Sequence, residues 1–286
     1  MEVNEVGNLN KIFTRNMLRQ WIDGKTDTVY SSVVRCYANK PEQKKNRELI
    51  SEIYSELQKN YRNEYFYKNT LLNKLLLGVH SVNTATALTE LAIAKSKADF
   101  VLINGKAVVY EIKTELDNLG RLNSQIEGYY KAFDHVAVVT YEKNLQLLTK
   151  VLDKIDKPVG IYVLKKTGRL GTIRKPERYT IDLDKETIFK LLRKKEYEEI
   201  IVKRYGYLPE VTQFKYYSAC KKMFLQMSEE ESYLLVLKQL KKRMQLEKEE
   251  FVKVPYELKF LVYFMELTCD DYQKLKVFLE CQYGGA

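Results

Sequence analysis

The spacing of apolar and polar positions divides the chain into three stretches. Near the amino terminus Ile12, Phe13, Met17, Leu18 and Trp21 recur at close to helical spacing, as do Leu49, Ile50, Ile53, Tyr54 and Leu57 behind Pro41. A further helix is expected over residues 63–77, with Leu71, Leu72, Leu75 and Leu76 facing inward. Past Glu90 the period shortens. Residues 98–103 and 107–112 form short apolar runs on either side of Asn104-Gly105, the strongest short-range signal of a β-hairpin. A polar link, Thr114-Glu115-Leu116-Asp117-Asn118, follows. Then Leu119, Leu122, Ile126, Tyr129 and Phe133 advance in steps of three and four, which predicts a helix against the sheet with Arg121 and Gln125 at its flanks. Residues 136–140 read as a buried strand, so strand, helix and strand predict a parallel, right-handed crossover. A helix over 144–155 and a strand over 160–164 repeat the unit, and residues 165–174, with Gly168 and Gly171, read as a basic hairpin at the edge.

From Asp184 the helical period returns. Ile188, Leu191 and Leu192 lead into Arg193-Lys194-Lys195, and a later helix over 229–248 carries Lys238, Lys241, Lys242 and Arg243. The pattern predicts an α/β core over residues 63–182, with a mixed sheet, a β-hairpin, a βαβ crossover and helices on both faces. Helical regions over 1–62 and 183–286 flank it.

Composition narrows the chemistry. A 45% hydrophobic share beside 30% charged residues reads as a soluble, globular chain. No run approaches about 20 apolar residues, so no membrane span is expected. The acidic start, Met1-Glu2-Val3-Asn4-Glu5, does not read as a secretory signal. The four cysteines, Cys36, Cys220, Cys269 and Cys281, form no Cys-x-x-Cys pair and suit a reducing, cytoplasmic setting. Two histidines, His80 and His135, give no support to histidine-metal nucleases, His-Glu-x-x-His proteases or serine triads. The net charge of +10 points to an anionic partner such as nucleic acid, or equally to a solvated lysine-rich surface. The 22 tyrosines suit base stacking and half-buried helix faces alike.

Acidic residues in buried strands need a partner or a task. Asp99 enters the first run of the hairpin, Glu111 ends the second, and Lys113 lies two residues on, so Glu111 and Lys113 share a strand face. Hydrolysis of a phosphodiester needs a held water, a neutralised phosphate and a supported leaving oxygen. Mg2+ on one or two carboxylates meets these needs. Asp99 and Glu111 are hard oxygen ligands, Glu90 is a third carboxylate, and Lys113 would orient water or offset charge growing on phosphorus. The same residues could instead form only a salt bridge at the sheet end. Glu64, at the start of the third helix, reads as a solvent-facing or capping residue, and would join a site only beside the hairpin.

Register tests this arrangement. A two-residue loop at Asn104-Gly105 would pair Ile103 with Lys106 and turn Asp99 and Glu111 to opposite faces. A three-residue loop or a bulge pairs Ile103 with Ala107 and sets Asp99 across from Glu111. The shared site therefore requires the odd loop.

Asp99 followed on the next strand by Glu111-x-Lys113 resembles the PD-(D/E)XK nuclease superfamily, whose shared core is the restriction-endonuclease-like fold. Lys97-Ala-Asp-Phe-Val-Leu-Ile-Asn-Gly105, Tyr110-Glu-Ile-Lys-Thr114, Asp117, Arg121-Leu122, Gln125, Tyr129 and upstream Glu90 look like a bacterial and phage-borne branch. The resemblance covers roughly residues 63–165. It implies an αβββαβ core and metal-dependent phosphodiester hydrolysis, with Mg2+ the expected ion and Mn2+ able to substitute. It also implies Asp99 and Glu111 as metal ligands, Lys113 as catalytic lysine, Glu90 as an accessory acid and Gln125 as a polar residue on the helix lining the site. Lys97, Arg121 and Gln125 would meet nucleic acid, DNA being the expected substrate. Two departures stand out: no proline precedes Asp99, and Lys97 occupies a position where this branch often has Arg, which loses a bidentate phosphate grip. A role in phage defence, mobile elements or repair follows from the resemblance alone. Competing expectations are a non-cleaving nucleic-acid-binding protein and an interaction scaffold, either of which could pair with itself or a protein partner through the helical ends.

Overall fold

The computed structural model of the protein describes residues 9–25, 28–80 and 82–284. The acidic start of the chain lies outside the described residues. The helices of the first stretch are α1 (Arg15–Ile22), α2 (Thr28–Tyr37), α3 (Asn46–Asn60) and α4 (Glu64–Leu71), the last continuing as a π-helical turn over Leu72–Leu77. Six strands follow, β1 (Thr86–Ile93), β2 (Ser96–Asn104), β3 (Lys106–Lys113), β4 (Val136–Tyr141), β5 (Gly160–Leu164) and β6 (Leu170–Arg174). Helices α5 (Leu122–Tyr130) and α6 (Leu145–Leu152) lie between β3 and β4 and between β4 and β5. The remaining helices are α7 (Lys185–Lys190), α8 (Lys194–Tyr205), α9 (Gln213–Leu225), α10 (Glu229–Lys241), α11 (Lys248–Lys253), α12 (Lys259–Tyr263) and α13 (Cys269–Glu280). None of the helices is long and apolar enough to cross a membrane, among the described residues.

Polar side chains stop and start these helices where the sequence allows. Thr14 accepts from the Met17 amide, Asn63 from Phe66, Asp184 from Thr187 and Ser228 from Glu231, so each meets a first-turn N–H that the helix itself leaves unpaired. The Thr14 cap also explains a departure from the periodicity: the helix expected through Ile12 and Trp21 is interrupted, with residues 9–12 helical before the turn and α1 after it.

The chain divides into two compact units. One comprises residues 1–79, 165–170 and 245–286, the other residues 80–164 and 171–244. The three stretches read from the sequence are thus regrouped. Residues 245–286 join the amino-terminal helices because Asn46 reaches the carbonyls of Phe278 and Cys281 at 3.0 and 3.3 Å while Trp21 stacks on Phe278 at 5.1 Å. Helices α7 to α10 instead join the sheet unit, where Ile188, Phe189, Ile200, Phe224, Val236 and Leu240 share one core with Val109, Val136 and Val138.

The sheet is mixed, in the order β1-β2-β3-β4-β5-β6. β1, β2 and β3 are successively antiparallel, and β3, β4 and β5 are parallel. Both crossovers expected from the apolar pattern are present. Ile126 and Tyr129 of α5 and Leu148 and Leu152 of α6 belong to the same core as Val109, Val138 and Ile161, so one sheet face receives both crossover helices. The opposite face carries an aromatic row, Phe100, Tyr110 and Tyr162, with ring centroids 6.2 and 5.5 Å apart. The β2–β3 register pairs Ile103 with Ala107 and Asn104 with Lys106, leaving Gly105 alone at the tip with φ +72°. This is the odd loop that a shared site requires, and only a glycine takes that φ without strain.

Candidate active site

Register brings the acidic residues to one rung. Thr89 pairs with Phe100 and Leu91 with Ala98, so Glu90 of β1 lies across from Asp99 of β2. Phe100 pairs with Tyr110, and continuing that register sets Asp99 across from Glu111 of β3. Regular pairing lapses here on both sides. Glu90 has φ +55°, a left-handed conformation that costs a non-glycine residue about 1–3 kcal/mol and interrupts the ladder between its paired neighbours. Asp99 fills the gap on the other side: its Oδ2 accepts from the Ile112 amide at 2.8 Å, just beyond the last β2–β3 backbone pair. The Asp99 carbonyl is held in turn by Thr89 Oγ1 at 2.8 Å.

Glu111 and Lys113 share the sheet face covered by α5, and both are buried, Glu111 at 2% exposure and Lys113 at 7%. Burying a charged pair is costly unless hydrogen bonds replace the lost water. Here they do. Lys113 Nζ donates to Glu111 Oε1 at 2.7 Å and to Gln125 Oε1 at 2.9 Å, and Gln125 Nε2 donates to Glu111 Oε1 at 2.6 Å. The Tyr129 hydroxyl donates to Glu111 Oε2 at 2.5 Å and lies 3.0 Å from the Lys97 carbonyl oxygen. Burial, and after it the Glu111 carboxylate, pushes the Tyr129 phenol far above its ordinary range, so it stays protonated and remains a donor. The chain beyond Lys113 is fixed as well. Thr140 Oγ1 donates to the Lys113 carbonyl at 3.0 Å, and the Thr114 amide and hydroxyl both donate to Asp117 Oδ2 at 2.7 Å.

The sequence-derived residues thus separate into two adjoining groups. Glu90 and Asp99 present carboxylate oxygens within 4.8 Å of each other, near the sheet edge and partly open to solvent. Glu111, Lys113 and Gln125 form the buried group behind them. Lys97 faces Glu90, with Nζ 3.2 Å from Oε2, so its charge is directed at the acid. Arg121 is exposed at the start of α5, where its carbonyl accepts from the Gln125 amide at 3.0 Å, while its guanidinium takes no part in the buried network. Glu64 occupies the first turn of α4 in the other unit, 2.5 Å from Lys68 Nζ. Tyr129 is the site residue that sequence reasoning left among the packing positions. Its signal was available: it shares a helix stripe with Leu122 and Ile126, one turn from Gln125, and a buried tyrosine hydroxyl seeks a partner.

These donors are chemically suited to a hard cation. All are carboxylate oxygens, two of them close enough to repel each other, and Glu111 Oε2 keeps a lone pair beyond the one given to Tyr129. Of the three expected ligands, Glu90 and Asp99 are brought within reach of one ion, and Glu111 stands outside that group.

Comparison with known proteins adds kinship. The family model described as bacteriophage P4 protein cII matches residues 57–262, a span that contains the sheet, the acidic rung and helices α5 to α11. A curated relative, Protein cII of Enterobacteria phage P4, is 27% identical over 100 residues, 34% of this chain and 33% of that protein. The chain therefore spans about a third of the length of the curated relative it matches. No solved structure matches the chain. With the family match running over well more than half of its length, the chain belongs to the bacteriophage P4 protein cII family.

Proposed function

We propose that this protein is a divalent-metal-dependent nuclease acting on DNA, built on a restriction-endonuclease-like core. The observation that carries this reading is the single rung Glu90, Asp99, Glu111, with Lys113 two residues beyond Glu111 and hydrogen-bonded to it. The order of elements supports the core: three antiparallel strands, a helix and a parallel strand follow one another as the PD-(D/E)XK resemblance implies. Bound at Glu90 and Asp99, Mg2+ or Mn2+ would supply charge neutralisation at the phosphate and a more acidic water.

The chain's own residues would do the rest. The Ile112 amide holds Asp99 against the strand end, while Gln125 and Tyr129 hold Glu111. Lys113, kept in place by Glu111 and Gln125, would donate a hydrogen bond to the oxygen of the attacking water and so orient it, or face the developing negative charge. Lys97 and Arg121 lie near the two ends of this constellation as candidate phosphate contacts. The match to a phage protein family supports a role in phage or mobile-element biology.

A second reading is a nucleic-acid-binding protein that keeps the fold without cleaving. One observation favours it: Glu111, Lys113, Gln125 and Tyr129 satisfy one another as a structural salt bridge would. Incubation of plasmid, linear duplex and single-stranded DNA with Mg2+ or Mn2+ separates the two. The nuclease reading expects cleavage by wild type that is lost with chelator and in Asp99→Ala and Lys113→Ala proteins. Wild type that binds DNA in a salt-sensitive manner and cuts none of the substrates would overturn it.

A further inference from the structure

The sheet unit carries a second feature outside the acidic rung. Helices α8 and α9 run side by side in the same direction. Tyr216 near the start of α9 reaches Glu198 near the start of α8 at 2.8 Å, and Tyr205 at the end of α8 reaches the Met223 carbonyl near the end of α9 at 2.9 Å. The connection over 206–212 returns along the pair, and both helices begin at one end. Arg193, Lys194 and Lys195 lie at the start of α8, Val211 just before α9, and Phe214, Lys215 and Tyr217 in its opening turns.

This end is both apolar and basic. Phe214 is 95% exposed, far more than packing requires of a phenylalanine, and Tyr217 is 46% exposed. Tyr217 is also braced from behind, with its ring 5.4 Å from Phe189 and 6.0 Å from Tyr197, so one edge is anchored in the core and the rest faces out. Lys194 stands 5.3 Å above the Tyr216 ring. The first turn of α9 contains no acidic residue, and Lys195 and Lys215 form no ion pair among the described residues. Exposed rings beside unpaired ammonium groups match the chemistry of unpaired bases on a phosphate chain. Duplex DNA hides its base faces and would meet only the lysines.

We infer that this end of the α8–α9 pair binds single-stranded DNA, bases stacking on Phe214 and Tyr217 while Lys194, Lys195 and Lys215 meet the phosphates. The choice of DNA rests on the nuclease reading above. The single-strandedness rests on the exposed rings. In function this surface would hold an unpaired segment of the substrate, or the strand displaced from it, on the same unit that carries the acidic rung.

The test is binding of a fluorescein-labelled single-stranded DNA of about 20 nucleotides by the full chain in EDTA, read by anisotropy across a salt series. Matched duplex DNA and single-stranded RNA run in parallel. Because no metal is present, binding is measured apart from cleavage. Phe214→Ala should weaken single-strand binding about tenfold, within the span of one lost stacking contact. Lys195→Ala and Lys215→Ala should each lower the slope of log affinity against log salt by roughly 0.7. Phe214 is so exposed that its substitution leaves the core intact, which circular dichroism checks. Binding retained in Phe214→Ala, duplex bound as tightly as single strand, or RNA bound more tightly than DNA would each overturn the inference. So would absence of DNA binding by wild type, which would leave the patch to a protein partner. Cleavage failing while Phe214-dependent binding persists would remove the nuclease reading and leave this one standing.

Discussion

Two buried carboxylates in the sheet unit are built from nearly the same parts and sit at opposite ends of neighbouring strands. Glu111, at the carboxyl end of β3, accepts from Lys113, Gln125 and Tyr129. Asp134, just before β4, has His135 Nδ1 at 2.8 Å, accepts from Tyr233 at 2.7 Å, and has Arg178 Nε at 3.3 Å. The difference lies in what each network joins. Asp134 ties chain segments far apart in sequence: its amide donates to Tyr233 of α10 and its carbonyl accepts from the Tyr179 amide. Glu111 ties only β3 to the helix that follows it, and its rung neighbours on β2 and β1 are further acids. Asp134 is a latch between elements. The Glu111 network is a cluster with more negative charge than its one buried ammonium offsets, at the strand ends where open α/β sheets receive ligands.

The sharpest break of this comparison is catalytic. If the Glu111 cluster is the working site, Lys113→Ala should reduce Mg2+-dependent cleavage at least about 10²-fold. Asp134→Asn should leave the rate per folded molecule unchanged. Single-turnover cleavage at matched folded concentrations measures both. Equal losses in the two variants would mean that both networks are structural.

Stability should show the opposite ranking. Asp134→Ala leaves the partner groups on His135, Tyr233 and Arg178 without their acceptor and is expected to cost about 3 kcal/mol of unfolding free energy. Tyr129→Phe removes one hydrogen bond to a charged group and should cost less, about 1.5–2 kcal/mol. Its larger consequence should be for cleavage, since Glu111 loses the donor that orients one of its oxygens. Urea titrations compared with cleavage rates in the same two proteins separate a latch from a positioning residue.

Acid sharpens the contrast further. Burial raises the Asp134 carboxyl, but hydrogen bonds from His135, Tyr233 and Arg178 outweigh it and hold the group below the ordinary carboxylate range. A carboxylate depressed in the folded state contributes stability that is fully present above its unfolded value and is lost as pH falls through its folded value. The urea midpoint of wild type should therefore drop as pH is lowered through the acid range, and Asp134→Asn should flatten part of that drop.

The smallest expected effect lies in the helical unit, with the same sign of slope but in the alkaline range. Burial lowers Lys259 to about 8, although its Nζ donates to the carbonyls of Phe251 and Val252 at 2.6 and 2.9 Å. The unfolded chain then binds more protons than the folded one above that value, so this lysine makes stability rise with pH from about 8. Lys259→Met should remove that rise, in urea titrations at pH 7 and 9.

Much of the site's frame is set by local rules and was legible without tertiary contacts. Asn104-Gly105 marks the hairpin, and the odd loop that a site shared by Asp99 and Glu111 requires is the one observed. The three- and four-residue steps from Leu122 to Phe133 put Gln125 and Tyr129 on the helix that returns over β3, and the apolar runs at β4 and β5 dictate the crossovers. The hairpin between β1 and β2 carries no such mark. Its turn is Ala94-Lys95, with Ala94 at φ +52°, a conformation no local preference of alanine announces. The left-handed kink at Glu90, the turn of Asp99 into the plane of the sheet toward the Ile112 amide, and the pairing of Tyr129 with Glu111 all depend on groups that meet only after folding. So does the union of residues 245–286 with the amino-terminal helices, since Asn46 finds the Phe278 carbonyl across 232 positions of chain. Periodicity and turn chemistry act between residues a few positions apart, and they determined the strands and the crossovers. Which buried polar groups satisfy one another is decided by desolvation, a cost that exists only once the core has closed around them.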